Sequence, residues 1–178
     1  MATPNILTRD FVGYMTSLYF GIPDGEALAT GRLIGANKHI PDAVRKATVG
    51  KYVNREFLPE EFRGYRTENP WLDTPVDNTL YSKIQAKLVD PLFCPLMADD
   101  VSKVPSAFIH AAEFDVLRDD ALMYVTKLER AGVRVQAYVS RGGYHSEISV
   151  LGTRALQPET GKLALDKSFE FIRREFGL

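Results

Sequence analysis

A chain of 178 residues with 45% hydrophobic, 11% aromatic and 25% charged residues holds enough apolar material for one globular core, which excludes a disordered or fibrous polymer. Lys and Arg total 22 against 23 for Asp and Glu, with no long run of either sign, so the charge pattern implies neither a nucleic-acid nor an anionic-membrane partner. The single cysteine, Cys94, excludes an intramolecular disulfide and a thiolate zinc cluster, and no apolar run approaches the roughly 18 residues that suggest a membrane span.

The N-terminal "MATPNILTRDF" has neither the basic head nor the apolar run of a secretory signal, so the sequence assigns no compartment. In "TRDFVGYMTSLYFG", Thr8 is positioned as an N-cap, Phe11, Met15 and Leu18 recur on one helical face, and Gly21 marks the stop. "PDAVRKATVGKYV" opens on a proline and places Val44, Ala47 and Tyr52 at roughly helical spacing, weakened by Gly50. The stretch "LPEEFRGYRTENPWLDTPVDN" reads mostly as connection. "DNTLYSKIQAKL" then carries Leu80, Ile84 and Leu88 at four-residue spacing behind Asp77 as cap.

The texture changes near residue 104. "SAFIHAAEF" is an almost continuous apolar run of strand length, the pattern of a strand buried on both faces. "RDDALMYVTKLERAG" has acids in its first turn, a core face of Leu122, Val125 and Leu128, Lys127 and Arg130 late, and Gly132 as its stop. "VRVQAYV" alternates as a second strand, "SRGGYHSE" is a glycine-bearing turn, and "ETGKLALDKSFEFIRREFG" closes as a helix with Leu165, Phe169, Ile172 and Phe176 on one face. Strand, helix, strand, loop and helix in this order predict a piece of parallel α/β sheet. The one plausible boundary lies in "PLMADDVSKVP", which separates a helical segment over 1–100 from an α/β segment over 101–178.

Functional groups of a parallel sheet lie beyond the carboxyl ends of its strands. The first strand ends on the acid-rich "EFDVLRDD" and the second delivers Gly142, Gly143 and His145. If the two strands are neighbours, Asp115 can hold the Nδ1–H of His145 and stabilise its cationic form. Simpler roles compete. Asp119 and Asp120 read as helix-opening charges, Arg118 and Glu113 as surface or ion-pair residues, and Asp115 as an N-cap. His145 alone reads as structural, as do His39 and His110. "HSE" lacks the paired cysteines of a zinc deaminase, and the chain has neither GxGxxG nor GxxxxGK[ST].

From Asp90 to His145 the sequence resembles the C-terminal half of the hormone-sensitive-lipase branch of α/β-hydrolases, arylacetamide deacetylase-like proteins above all. The specific part is "EFDVLRDDALMY" followed, after a helix and a strand, by "GGYH". The resemblance implies a partial parallel sheet with flanking helices, preceded over 1–100 by a helical lid segment that covers the acyl pocket. It makes Asp115 the triad acid and His145 the triad base of a carboxylic ester or arylacetamide hydrolase. It implies small apolar ester or amide substrates and no metal or cofactor; relatives are often anchored to the endoplasmic reticulum by a helix not found in this sequence.

Three departures stand out. Ser146 follows the histidine where the family often has glycine, and Ala112 stands where some members carry a cysteine. The sequence also lacks G-x-S-x-G and an HGGG-type oxyanion loop. Since the chain order in these enzymes is Ser, Asp, His, the expectation is a truncated chain whose nucleophile and partner N-terminal half lie upstream of residue 1. The alternative expectation is a non-catalytic binding or regulatory fragment of the same fold.

Overall fold

The computed structural model describes residues 7–64, 75–153 and 156–178. The chain packs as two compact units, one over residues 7–99 and one over 100–178.

The first unit is helical. α1 (Arg9–Tyr19) is capped by the Thr8 hydroxyl, which accepts from Phe11 N at 3.2 Å, and the chain turns at Gly21 with φ 84°. Its buried residues are Gly13 and Ser17, while Phe11 and Met15 are exposed, so the helix is turned away from the expected Phe11–Met15–Leu18 face. The cause is α2 (Asp24–Gly35), which pattern reading does not resolve. The backbones of Gly13 and Gly31 approach so closely that a Cβ on Gly13 would lie 2.2 Å from the Gly31 oxygen. Close backbone packing on a glycine pair outweighs the burial of one apolar stripe.

α3 (Asp42–Ala47) is a short helix whose Arg45 guanidinium donates to the carbonyls of Asn37 and Ile40. The described part of the expected connection holds α4 (Glu60–Arg63), and both Leu58 and Phe62 within it are fully buried. The rest of that connection, residues 65–74, lies outside the described residues. α5 (Asn78–Leu88) starts on Asp77, whose carboxylate accepts from Leu80 N at 2.9 Å. Leu80 and Ile84 bury against Phe20, with Leu88 and Phe93 packed alongside, as the spacing predicts.

The second unit is a strand–helix–strand–helix segment. β1 (Ala107–Ala112) and β2 (Val135–Ser140) pair in parallel, with Ala107 opposite Val135 and Ala112 opposite Ser140. This register brings both carboxyl ends to one edge. β1 is half-buried except at Ala111 and Ala112, so the two-sided burial expected from its apolar run is not reached in this two-stranded sheet. α6 (Arg118–Arg130) makes the crossover between them and buries the predicted Leu122, Val125 and Leu128. It stops at Gly132, φ 76°, where Val133 N donates to Leu128 O at 3.0 Å. Leu128, fully buried, contributes about 1.5–3 kcal/mol by leaving water.

α7 (Glu159–Phe176) buries Gly161, Ala164 and Phe171, and the Phe171 ring meets Phe108 of β1 at 5.9 Å between centroids. The face expected to be buried is instead largely open, with Phe169, Ile172 and Phe176 exposed. Two small residues and one phenylalanine fit against the narrow sheet, and the bulkier stripe is rotated outward.

Candidate active site

The edge to which β1 and β2 both run carries the candidate site. Beyond Ala112 the chain makes a tight turn in which Asp115 N donates to Ala112 O at 3.2 Å and Arg118 N to Asp115 O at 3.1 Å. The Asp115 carboxylate divides its work. Oδ1 accepts from Leu117 N at 2.9 Å, the side-chain turn that leads into α6. Oδ2 lies 2.8 Å from Nδ1 of His145. One oxygen of Asp115 thus meets the imidazole and the other closes a side-chain turn, while α6 has Leu117 at its N-cap without a side-chain cap bond, so the N-cap reading of Asp115 is not met.

His145 arrives from the turn after β2. Gly142 adopts φ 74°, a conformation glycine takes without steric cost, and Ser146 takes φ 65° directly after the histidine. Ser146 therefore occupies a left-handed position, one that favours glycine. The His145 side chain is 31% exposed and that of Asp115 15%, so the acid is the more enclosed partner. With Nδ1 engaged, Nε2 is the nitrogen left to exchange protons with a reacting group.

Two further residues of the acid-rich segment have structural work that the sequence reading only partly captures. Arg118 is buried: its guanidinium donates to the Asp119 carboxylate at 2.7 Å and to the Glu113 carbonyl at 2.8 Å, an ion pair within the protein and not a surface residue. The Glu113 carboxylate accepts from Gly142 N at 2.8 Å and lies 3.7 Å from the Arg141 guanidinium. Glu113 N donates to Ser140 O at 3.1 Å and Phe114 N to Gly143 O at 3.0 Å. These bonds stitch the acid loop to the histidine loop. Loss of water around the Asp120 carboxyl raises its pKa above the usual carboxylate range.

Behind His145 lies a cluster that sequence reasoning did not assemble. Glu147 is fully buried, and its carboxylate accepts from the hydroxyls of Ser140 and Thr160 while lying 3.0 Å from His110 Nε2. His110 belongs to the strand, as expected, with its ring nitrogen turned to this cluster. Room for the Glu147 carboxylate comes from Gly143, where a Cβ would sit 2.7 Å from each carboxylate oxygen. Among the described residues, no group of three or more His, Cys, Asp or Glu side chains could hold a metal ion. No helix among them is long and apolar enough to cross a membrane.

A family model described as the α/β hydrolase fold matches residues 58–149, from the buried Leu58 through the Asp115–His145 pair. The chain belongs to the α/β-hydrolase fold family. This hydrolase-fold chain is 37% identical over 121 residues to arylacetamide deacetylase-like 4 of Homo sapiens, a match covering 65% of this chain and 28% of that protein. It is 31% identical over 174 residues to arylacetamide deacetylase of Oryctolagus cuniculus, covering 94% of this chain and 39% of the relative. An arylesterase of Saccharolobus solfataricus is 30% identical over 131 residues, with 71% of this chain and 42% of the relative covered. The α/β-hydrolase chain thus spans well under half the length of these curated relatives. No solved structure matches it.

Proposed function

We propose that this chain supplies the acid and base of a serine-type carboxylic ester or arylacetamide hydrolase, with Asp115 as orienting carboxylate and His145 as general base. The observation that carries the reading is the 2.8 Å contact between Asp115 Oδ2 and His145 Nδ1 at the carboxyl edge of a parallel sheet. A carboxylate on Nδ1–H selects the tautomer whose Nε2 lone pair accepts a proton, and it stabilises the imidazolium that results. In acyl transfer, Nε2 takes the proton from a serine hydroxyl as the serine oxygen bonds to the acyl carbon. The imidazolium then returns that proton to the alcohol or amine as its bond to the acyl carbon breaks. Water, deprotonated by the same nitrogen, releases the acid and restores the serine.

The sequence has neither G-x-S-x-G nor HGGG, so the reading assigns the nucleophile and oxyanion donors to a segment not among these 178 residues. The names of the relatives, an arylacetamide deacetylase and an arylesterase, support arylacetamides and aryl esters as the substrate class.

The test is a chimera in which this chain replaces the matched segment of the Oryctolagus cuniculus enzyme, assayed on p-nitrophenyl acetate. Turnover is expected, falling on the order of 10⁴-fold in Asp115→Asn and at least as far in His145→Ala. Turnover indifferent to both substitutions would sink the assignment. The absent nucleophile motif also motivates a second reading, a non-catalytic fragment of the same fold, which predicts a folded chimera that hydrolyses nothing.

A further inference from the structure

We propose that Glu147 is a positioning residue for His145: its buried carboxylate closes the histidine loop into a clasp and thereby fixes the imidazole on Asp115. The inference rests on the reading of Asp115 and His145 given above and adds to it the group that holds the base in place. Ser140 ends β2 and Glu147 follows His145, so the hydroxyl–carboxylate bond between them joins the two ends of the loop that carries the histidine. The other carboxylate oxygen accepts from Thr160 in the first turn of α7, and His110 of β1 lies against the first oxygen at 3.0 Å. One side chain therefore ties the loop to both strands and to the following helix.

The cost of the arrangement argues that it is built for placement. A fully buried carboxylate loses its hydration, a loss that apolar packing in the same space would not incur. It is tolerated here because hydroxyl and imidazole groups face it, and because two glycines make room. A Cβ at Gly143 would lie 2.7 Å from both carboxylate oxygens, and one at Gly161 would lie 2.7 Å from the Glu147 carbonyl oxygen. Gly143 O in turn accepts from Phe114 N, immediately before Asp115. The clasp thus reaches the acid as well as the base: shifting Glu147 shifts Gly143, and with it the register between the two loops. Nothing places Glu147 in contact with the His145 ring, so its action is through the loop.

The experiment uses the 178-residue chain labelled with ¹⁵N. The His145 Nδ1–H resonance is assigned by its loss in His145→Ala, and its dependence on the acid is checked with Asp115→Asn. Glu147→Gln keeps shape and one acceptor oxygen, Glu147→Ala removes the clasp, and Leu128→Val is a core variant that weakens packing away from the loop. Circular dichroism checks that each is folded. The expected result is an Nδ1–H exchange with solvent at least tenfold faster in Glu147→Ala, faster than parent in Glu147→Gln, and parent-like in Leu128→Val. Should Glu147→Ala fail to fold, Glu147→Gln decides. Parent-like exchange in the folded Glu147 variants, or equal acceleration in Leu128→Val, overturns the proposal while leaving the Asp115–His145 pair intact. A parent chain with no resonance that Asp115→Asn removes overturns the pair itself.

Discussion

Lowering the pH should destabilise the helical unit through His39. The residue is 5% exposed, and its Nδ1 has no hydrogen-bond partner among the described residues. Burial lowers its pKa from 6.5 to about 4; a bond to the Leu33 backbone opposes this in part, and the Arg45 charge adds to it. At ~1.36 kcal/mol per pH unit, the difference between the two values corresponds to about 3 kcal/mol. The unfolded chain takes up the proton first, so this stability is complete above the unfolded value of 6.5 and is lost as pH falls toward the folded value of about 4. Urea unfolding followed by far-UV circular dichroism, run from about pH 7.5 to about pH 4 on the parent and on His39→Gln, isolates the effect. Other carboxylates affect both proteins alike, so the parent should lose about 3 kcal/mol more than the variant across that window. Parallel losses in the two would show that His39 is not neutral and buried in solution.

Gly13→Ala should destabilise the helical unit by roughly 2–3 kcal/mol, outweighing the better helix propensity of alanine, because its Cβ meets the Gly31 backbone. Gly25→Ala, in the first turn of α2 with nothing within 4 Å of its Cβ, should instead raise the melting temperature slightly, and calorimetry of the pair reads the contrast. Ser146→Gly should relieve the left-handed backbone beside His145 and stabilise the second unit by about 1 kcal/mol, measured as a higher urea midpoint without a change in slope.

The Asp115–His145 pair was legible because it depends on strand ends, and strand ends follow from apolar run length and alternation. Once "AFIHAA" and "VQAYVS" are parallel neighbours, the register delivers both loops to one edge. The caps of Thr8 and Asp77 and the stop at Gly132 were legible for a similar reason, since each is set by groups a few residues apart. Helix faces were legible for α5 and α6 but not for α1 and α7. α1 turns its glycine–serine side inward because a second glycine, Gly31, allows the backbones to meet, and nothing local to α1 announces that partner. α7 is rotated in the same way, toward the Phe171 side that meets Phe108. Glu147 escaped for a related reason: its donors, Ser140, Thr160 and His110, come from two strands and a helix, and polarity alone marks a glutamate as exposed until those elements are assembled.

Asp115 and His145 are 30 residues apart and joined by one helix and one strand. Everything that sets their separation, including the stitches from Glu113 and Phe114, falls within that contiguous stretch or just beyond it. A splice meant to move the Asp115–His145 pair intact must therefore carry β1 through the first turn of α7, so that the paired strands and the partners of Glu147 travel with it.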